Sequence, residues 1–392
     1  MKLSSKQNEF IELVKSGQNI FLTGKAGTGK SFIVSHAISE LKKRGKRIVA
    51  IAPTGMAANH INGQTIHSMF SLFPYGVLDF STCNFMKKEK RRLLDEVTTI
   101  FIDEVSMLRP DVLDAMNWTL LKNNCKPLST KQIIFIGDMK QLPVVLDDNS
   151  KAVMFQKGYK GITFMDSFIY SEINPLVIEL DEVLRQKNEE FVSNLNIIRD
   201  GGKSEYFKQF VSNDPSGIIL APHNSTAMKY NEDGLSKIYS KLLIFDAKVT
   251  GNINAEDFNL ESKLRVKHGA KIMHLINSTN NPLRNGTIGE FISNKNGYFI
   301  KVKGVEYLLE KKEFDKKEYV FNYEKQELEL NTIGSIEQYP IRLAYAMSIH
   351  KSQGMTFDEV TVDLTRPCFQ KGQMYVALSR VVSPEGLKII IK

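Results

Sequence analysis

Short apolar runs alternate with polar segments along the first part of the chain. Four of these runs are continuous, at residues 19–23, 47–52, 98–102 and 132–136. Such runs are typical of parallel strands buried on both faces, with functional side chains following their carboxyl ends. Residues 31–44 instead place apolar side chains at helical spacing, and the pattern stops at Gly45. The pattern predicts an α/β lobe over about residues 1–170.

Two segments interrupt this alternation. Residues 72–92 are irregular, rich in aromatic residues and end in the basic cluster 87–92, which a solvated helix face would explain equally well. Residues 246–338 show short alternating segments with turn signals such as Asn285-Gly286, which favour antiparallel strands. Both segments are therefore interpreted as insertions into larger lobes.

A second α/β lobe is predicted because continuous apolar runs resume at residues 176–180, 217–221, 359–363 and 387–391. The expected domain organisation is a first lobe at residues 1–71 and 93–170 with an insertion at 72–92, then a second lobe at 171–245 and 339–392 with a β insertion at 246–338.

Composition and charge narrow the class of protein. The chain has 392 residues, 42% of them hydrophobic and 24% charged, with a net charge of +8. The excess of positive charge favours a polyanionic partner, although a basic enzyme of any kind would also show it. Cys83, Cys125 and Cys368 are too far apart to indicate a metal site or a disulfide framework. With no signal peptide and no long apolar run, a cytoplasmic protein without a membrane partner is expected.

Residues 24–31 read Gly-Lys-Ala-Gly-Thr-Gly-Lys-Ser, which is a complete phosphate-binding loop. The loop follows a predicted strand and precedes a predicted helix. This strand–loop–helix context supports its assignment as a phosphate-binding loop. Gly24, Gly27 and Gly29 allow the backbone N–H groups to face phosphate oxygens. Lys30 supplies a positive charge to the β- and γ-phosphates, and the Ser31 hydroxyl is a candidate Mg²⁺ ligand.

Polar residues after the later strands complete a site for nucleotide hydrolysis. Asp103 follows the third apolar run and is a candidate Mg²⁺ ligand, and Glu104 is a candidate base for the attacking water. Gln141 follows the fourth run, where an amide can hydrogen-bond both water and the γ-phosphate. Arg185 and Arg380 are candidates to stabilise transition-state charge, although either would also serve as a surface ion pair. If both arginines reach the phosphates, hydrolysis requires closure of the lobes.

The order of these motifs resembles superfamily one helicases, in particular the Pif (petite integration frequency) and RecD-like branch. The resemblance is carried by residues 103–107 (Asp-Glu-Val-Ser-Met), 137–143 (Gly-Asp-Met-Lys-Gln-Leu-Pro) and 346–356, which include His-Lys-Ser-Gln-Gly at 350–354. Residues 266–273 and 285–289 are also similar to this branch. The resemblance covers nearly the whole chain.

The resemblance implies an α/β fold of two RecA-like parallel-sheet lobes. It also implies a strand-separating wedge in the first insertion and a small Src-homology-like β-barrel near residues 261–338. The cofactors implied are ATP and Mg²⁺. The residues expected to contact ATP are Gln7, Gly24, Ala26, Gly27, Thr28, Gly29, Lys30, Ser31 and Gly354. Those expected to line the path of single-stranded DNA are Pro53, Thr54, His67, Phe70, His350, Lys351 and Ser352.

An ATP-dependent DNA helicase moving 5′ to 3′ on single strands is therefore expected, and its direction rests on the resemblance alone. The expected partners are single-stranded DNA and tailed or forked duplexes, and the protein is expected to be monomeric without DNA. Two alternatives stay open at this point. One is an RNA helicase of the same superfamily, since a single sequence does not show whether the protein tolerates the 2′-hydroxyl of RNA. The other is a nucleotide switch that clamps nucleic acid without unwinding it.

Overall fold

The computed structural model describes residues 3–182, 186, 188–251, 253–278, 280–322, 324–325 and 327–391. The chain divides into two compact units. Unit 1 comprises Met1–Leu184 and Lys317–Ile333, and unit 2 comprises Arg185–Lys316 and Gly334–Lys392. A short segment from late in the sequence thus belongs to the N-terminal unit.

Unit 1 is built on a parallel sheet, as the apolar runs predict. Over the described residues, its six strands lie in the order β3-β2-β4-β5-β1-β6, and every neighbouring pair is parallel. The strands are β1 (Ile20–Gly24), β2 (Ile48–Ala52), β3 (Gln64–Thr65), β4 (Thr99–Ile102), β5 (Gln132–Ile136) and β6 (Leu176–Leu180).

Helices cover both faces of this sheet. Successive side chains of a strand point to opposite faces, so each buried strand offers apolar side chains to the helices on both sides. On one face, Ile20 and Leu22 pack with helices α1 and α2; on the other, Phe21 packs with α4, α5, α6 and α8. The helices of this unit are α1 (Ser5–Lys15), α2 (Lys30–Lys43), α3 (Gly55–His60), α4 (Ile66–Phe70), α5 (Lys88–Glu96), α6 (Pro110–Lys122), α7 (Asp148–Gln156) and α8 (Phe168–Ile173).

Strand β6 corrects the predicted lobe boundary. The sequence pattern assigned residues 176–180 to the second lobe, but β6 pairs with β1 over its whole length in the first sheet. An apolar run shows that a strand is buried, but it does not show which sheet the strand joins. The first lobe therefore extends past residue 170.

The predicted insertion at residues 72–92 is an irregular segment followed by the start of α5. Leu78, Cys83 and Met86 are buried in the core of unit 1 and hold the segment in place. Its large aromatic side chains are exposed: Phe73, Tyr75, Phe80 and Phe85. The segment therefore presents aromatic rings to solvent from a base that is packed into the lobe.

Unit 2 contains a second parallel sheet, in the order β18-β7-β19-β20. Its strands are β7 (Ile218–Ala221), β18 (Ala346–Ser348), β19 (Val360–Asp363) and β20 (Leu387–Ile390). The helices of this unit are α9 (Glu189–Arg199), α10 (Asn224–Ser236) and α11 (Gln373–Leu378). Three of the four strands fall on predicted apolar runs, and β18 comes from the conspicuous motif at 346–356.

The strands from β8 to β17 form antiparallel pairs, as the alternating pattern predicts. A sheet in the order β14-β13-β12-β11-β17 encloses a small apolar core with β8 and β10. The strands are β8 (Leu242–Asp246), β9 (Lys248–Gly251), β10 (Lys263–Lys267), β11 (Lys271–His274), β12 (Ile288–Asn294), β13 (Gly297–Val302), β14 (Val305–Leu308), β15 (Lys312–Asn322), β16 (Glu327–Gln338) and β17 (Ile341–Leu343).

The end of the β15–β16 hairpin belongs to unit 1 and packs against its core. The Ala50 N–H of β2 donates to the Tyr319 hydroxyl at 3.0 Å, and the Tyr319 N–H donates to Oε1 of Gln64 at 3.1 Å. Tyr319, Phe321 and Leu328 pack against the same core as α4 and α6. The predicted boundaries of the β insertion did not anticipate this placement.

No helix within the described residues has the length and the apolar character that crossing a membrane requires.

Candidate functional site

The phosphate-binding loop lies between β1 and α2. Gly24, Gly27 and Gly29 have φ values of +152°, +82° and +81°, which side chains other than glycine rarely tolerate. A Cβ on Gly24 would also lie 2.5 Å from the Leu180 carbonyl oxygen of β6. The loop therefore needs glycine both for its conformation and for the close approach of the neighbouring strand.

The predicted phosphate ligands lie together on this loop. Nζ of Lys30 donates to the carbonyls of Gly24 and Lys25 at 2.7 and 2.9 Å. The Thr28 hydroxyl donates to the same Lys25 carbonyl at 3.0 Å, while Ala26 is buried. Lys30 and Ser31 begin the 14-residue helix α2, whose N-terminal N–H groups favour an anion.

Asp103 and Glu104 follow β4 as predicted. The Glu104 N–H donates to Oδ1 of Asp103 at 2.8 Å, and Glu104 has a left-handed φ of +50°, which is uncommon for this residue type. Burial raises the pKa of Asp103 to about 6, and the Glu104 hydrogen bond and the positive charge of Lys30 act against this rise. A carboxylate in such surroundings is stabilised by a nearby cation.

The residues fit the expected Mg²⁺. Asp103 offers a carboxylate and Ser31 a hydroxyl, and oxygen ligands are those that Mg²⁺ prefers. Among the described residues, no cluster of three or more His, Cys, Asp or Glu side chains could hold a metal by itself. One carboxylate and one hydroxyl instead suit an ion that shares its remaining ligands with phosphate and water.

Gln141 is oriented by a residue that the sequence interpretation did not single out. Asp138 is 1% exposed and accepts hydrogen bonds from the Lys140 N–H at 3.0 Å and from Nε2 of Gln141 at 3.4 Å. At the preceding Gly137, a Cβ would lie 2.9 Å from Cγ2 of Val105. The Gly137–Gln141 turn and the loop after Asp103 therefore pack closely.

Gln7 has a structural role in addition to the predicted contact with adenine. It is buried, and its Oε1 accepts the Ser4 N–H at 3.1 Å while its own N–H donates to the Ser4 hydroxyl at 3.2 Å. This reciprocal pair is a capping box that begins α1. Adenine recognition by Gln7 stays a prediction.

Arg380 is buried and is not a surface residue, since only 2% of it is exposed. Its Nε donates to the Val376 carbonyl at 2.9 Å, and its Nη1 donates to the Met355 carbonyl at 3.2 Å. These bonds join α11 to the loop that contains Gly354, which has a φ of +75°. The role of Arg380 toward ATP stays a prediction, and Arg185 lies outside the described residues.

The predicted DNA-contacting residues of unit 1 fall at the ends of β2 and β3. Thr54 follows Pro53 and caps α3, accepting the Ala57 N–H at 3.2 Å. His67 lies on α4, where burial and Arg109 lower its pKa and favour the neutral imidazole. Phe70 is fully buried in the core, so packing explains this residue and the expected base contact is not supported.

The corresponding residues of unit 2 lie after β18, in a 3₁₀ helix at His350–Ser352. Nε2 of His350 lies 2.9 Å from Oε1 of Gln370, and Lys351 is half-buried. Ser352 is completely buried, and its hydroxyl donates to the Ile349 carbonyl at 2.7 Å. The Ser352 side chain therefore supports the loop, and contact of this residue with DNA stays a prediction.

Two features near this 3₁₀ helix were missed by the sequence interpretation. The ring of Phe369 stacks on His350 with centroids 5.9 Å apart and lies 5.0 Å from His223. Phe369 is nevertheless 54% exposed. Nε2 of Gln353 is buried without a hydrogen-bond partner in the described part of the chain. The only sequence signal for Gln353 was its place in the 350–354 motif, and Phe369 had none.

Comparison with known proteins places the chain in a family. The family model described as PIF1-like helicase matches residues 2–209, which is more than half of the chain. A second model, described as helicase, matches residues 314–391. The ATP-dependent DNA helicase Pif1 of Campylobacter jejuni is 29% identical, and the match covers 97% of this chain and 90% of that protein.

Solved structures agree with this assignment. The crystal structure of Bacteroides sp. Pif1 in complex with ADP-AlF4 superposes with a TM-score of 0.85 at 27% identity, covering 100% of this chain and 95% of that one. Bacteroides Pif1 bound to single-stranded DNA gives a TM-score of 0.70 at 28% identity, over 99% and 92% of the two chains. The chain belongs to the PIF1-like helicase family.

Proposed function

We propose that this ATP-dependent DNA helicase translocates 5′ to 3′ on single-stranded DNA and unwinds tailed or forked duplexes, with Mg²⁺ as the cofactor of ATP hydrolysis. The observation that carries the proposal is the phosphate loop with Lys30 beside the half-buried Asp103, and Glu104 next to it. Its nucleotide and DNA ligands are supported by the Bacteroides Pif1 structures with ADP-AlF4 and with single-stranded DNA.

Hydrolysis proceeds by attack of a water oxygen on the γ-phosphorus, with cleavage of the bond to the β–γ bridging oxygen. Glu104 accepts the proton of the water, and Gln141, oriented by Asp138, positions that water. Lys30 and the loop N–H groups stabilise charge on the phosphate oxygens. Ser31 and Asp103 would hold Mg²⁺, which would supply further charge neutralisation. Arg380 is the proposed arginine finger.

The 72–92 insertion is proposed to separate the strands of the duplex. Its exposed rings include Tyr75, which is 86% exposed on a segment anchored in the core by Leu78. A rigid base that carries exposed aromatic rings suits a surface against which base pairs are pulled apart, because a ring stacks on any base.

A tailed-duplex assay tests the proposed direction. We expect a duplex with a single 5′ tail to be unwound at least tenfold faster than the same duplex with a 3′ tail, a factor equivalent to about 1.4 kcal/mol. Strand displacement is measured by fluorescence dequenching with ATP in excess. Equal or reversed rates would contradict the polarity. ATP hydrolysis without displacement of either duplex would instead indicate a nucleotide switch, and preferential displacement of RNA duplexes would indicate an RNA helicase.

Phe369 is expected to stack on a base of the bound strand. Its exposed ring lies against His350, a predicted DNA contact, and stacking of a base on an aromatic ring contributes about 1–3 kcal/mol. We expect Phe369→Ala to weaken single-stranded DNA binding roughly tenfold, as measured by fluorescence anisotropy with an oligothymidylate.

A matched control for this change is Tyr239→Ala, because Tyr239 is a fully exposed aromatic residue of the same unit. The control is expected to bind DNA as the unmodified protein does. If the two variants have equal affinities, Phe369 does not contact a base.

A further inference from the structure

Unit 2 contains a cavity whose lining extends beyond the residues predicted to contact ATP or DNA. Its volume is about 850 Å³, within the range of small-molecule sites. Five of its described lining residues are lysines or arginines and three are glutamates, so the lining carries an excess of positive charge. Lys351 of the predicted DNA path is one of them. The charge favours an anionic ligand.

A buried guanidinium group lies at the wall of this cavity. Arg342 of β17 is only 9% exposed, and its Nη1 donates to Oδ1 of Asn259. Its Nε is buried without a hydrogen-bond partner among the described residues, and so is Nδ2 of Asn259. Buried donors are almost always hydrogen-bonded, and leaving one unsatisfied is costly. Two such donors at one cavity wall point to an acceptor that the described residues do not supply.

The electrostatic surroundings also favour an anion. Burial and the neighbouring Arg342 lower the pKa of Lys351, while Glu256 and Glu261 act against this shift, and burial lowers the pKa of Arg342. Glu261 opposes the shift of Arg342. Burial raises the pKa of Glu261 itself, and the charges of Arg342, Lys351 and Arg265 act against that rise. Two cations that repel each other in poorly hydrated surroundings are stabilised by an anion placed near both.

We propose that this cavity binds a phosphodiester group of single-stranded DNA, which accepts hydrogen bonds from Arg342 and Asn259 and pairs with Lys351. The proposal rests on the proposed helicase function. Inorganic phosphate would satisfy the same donors, but the volume also accommodates a sugar and a base, and Lys351 belongs to the segment predicted to follow the DNA strand. The cavity thus adds backbone contacts that hold the strand in place without reading its sequence.

Asn259→Asp provides the sharpest test, because it changes one atom and introduces negative charge. Asparagine and aspartate both tolerate the left-handed φ of +59° at this position. The new carboxylate pairs with Arg342, so we expect an unchanged or higher melting temperature together with roughly tenfold weaker binding of an oligothymidylate. A purely structural role for Asn259 and Arg342 predicts no loss of DNA affinity.

The salt dependence of binding provides a second measurement. Loss of one phosphate contact lowers the slope of log affinity against log salt concentration by about 0.7 for single strands. We expect this change in both Asn259→Asp and Arg342→Gln. Lys295 is an exposed residue of the β insertion and does not line the cavity. Lys295→Gln is therefore expected to keep the slope of the unmodified protein.

The possible results distinguish failure of the cavity proposal from failure of the proposed function. If the unmodified protein does not bind the oligothymidylate, the proposed function fails. If it binds and Asn259→Asp binds equally well with an equal slope, the cavity proposal alone is overturned. A melting temperature raised by inorganic phosphate in the unmodified protein but not in Asn259→Asp, with equal DNA affinities, would assign the cavity to a free anion and overturn the DNA assignment.

Discussion

Lys30→Ala is expected to abolish ATP hydrolysis, with a fall in kcat of at least a hundredfold. The Lys30 ammonium lies on the phosphate loop, where it donates to the Gly24 and Lys25 carbonyls, and its charge acts on Asp103. Removing it takes away the charge that stabilises the transferred phosphoryl group. Turnover with saturating oligothymidylate and excess Mg²⁺-ATP measures the effect.

Lys25→Ala is the matched control for this change, because Lys25 lies on the same loop and the variant keeps the backbone carbonyl that Lys30 contacts. We expect this control to retain hydrolysis within a few-fold. Single-stranded DNA binding by Lys30→Ala, together with its melting temperature, shows whether the variant is folded. Near-normal turnover in a folded Lys30→Ala protein would refute the assignment of the phosphate site.

Arg380 should have an even larger effect on the rate of hydrolysis. An arginine finger contributes on the order of a thousandfold or more, whereas a surface ion pair is worth about 1 kcal/mol or less. Its burial already excludes the surface interpretation. We expect Arg380→Lys to bind ATP nearly as well as the unmodified protein and to hydrolyse it at least a thousandfold more slowly, because lysine lacks the planar fork of donors. Nucleotide titration and DNA-stimulated turnover measure the two quantities.

Stability must be separated from catalysis in this experiment. Arg380 donates to the Val376 and Met355 carbonyls, and each buried carbonyl left without its donor costs about 1–3 kcal/mol. Leu195→Ala is therefore the control, since it removes a buried side chain of α9 in the same unit at a cost of about 2–5 kcal/mol. If both variants lose activity in parallel with their melting temperatures, Arg380 has only a structural role.

The sequence predicted those parts of the site that depend on residues close together along the chain. The glycines of the phosphate loop, the carboxylates after β4 and the glutamine after β5 all lie at strand ends that the apolar runs marked. Parallel strands place their carboxyl ends at one edge of the sheet, so the ends of these runs were enough to predict the site. The family resemblance then supplied the roles of the residues.

Features that depend on residues far apart in the sequence could not be predicted from these patterns. The pairing of β6 with β1, the burial of Phe70 and the stacking of Phe369 on His350 each depend on tertiary packing. The Arg342 cavity is a further example, because Asn259 lies 83 residues earlier in the chain. Hydrophobic periodicity identifies buried positions, but it does not identify the partner that buries them.

The end of the β15–β16 hairpin makes the N-terminal unit dependent on residues synthesised much later. The hydrogen bond from Ala50 to Tyr319 spans 269 residues, and Phe321 and Leu328 cover the same core. Contacts of such high sequence separation slow folding, since a long loop must close before they form. Folding during synthesis therefore cannot finish the first lobe when its last strand emerges, and a protein truncated after residue 184 would expose the apolar surface that these side chains cover.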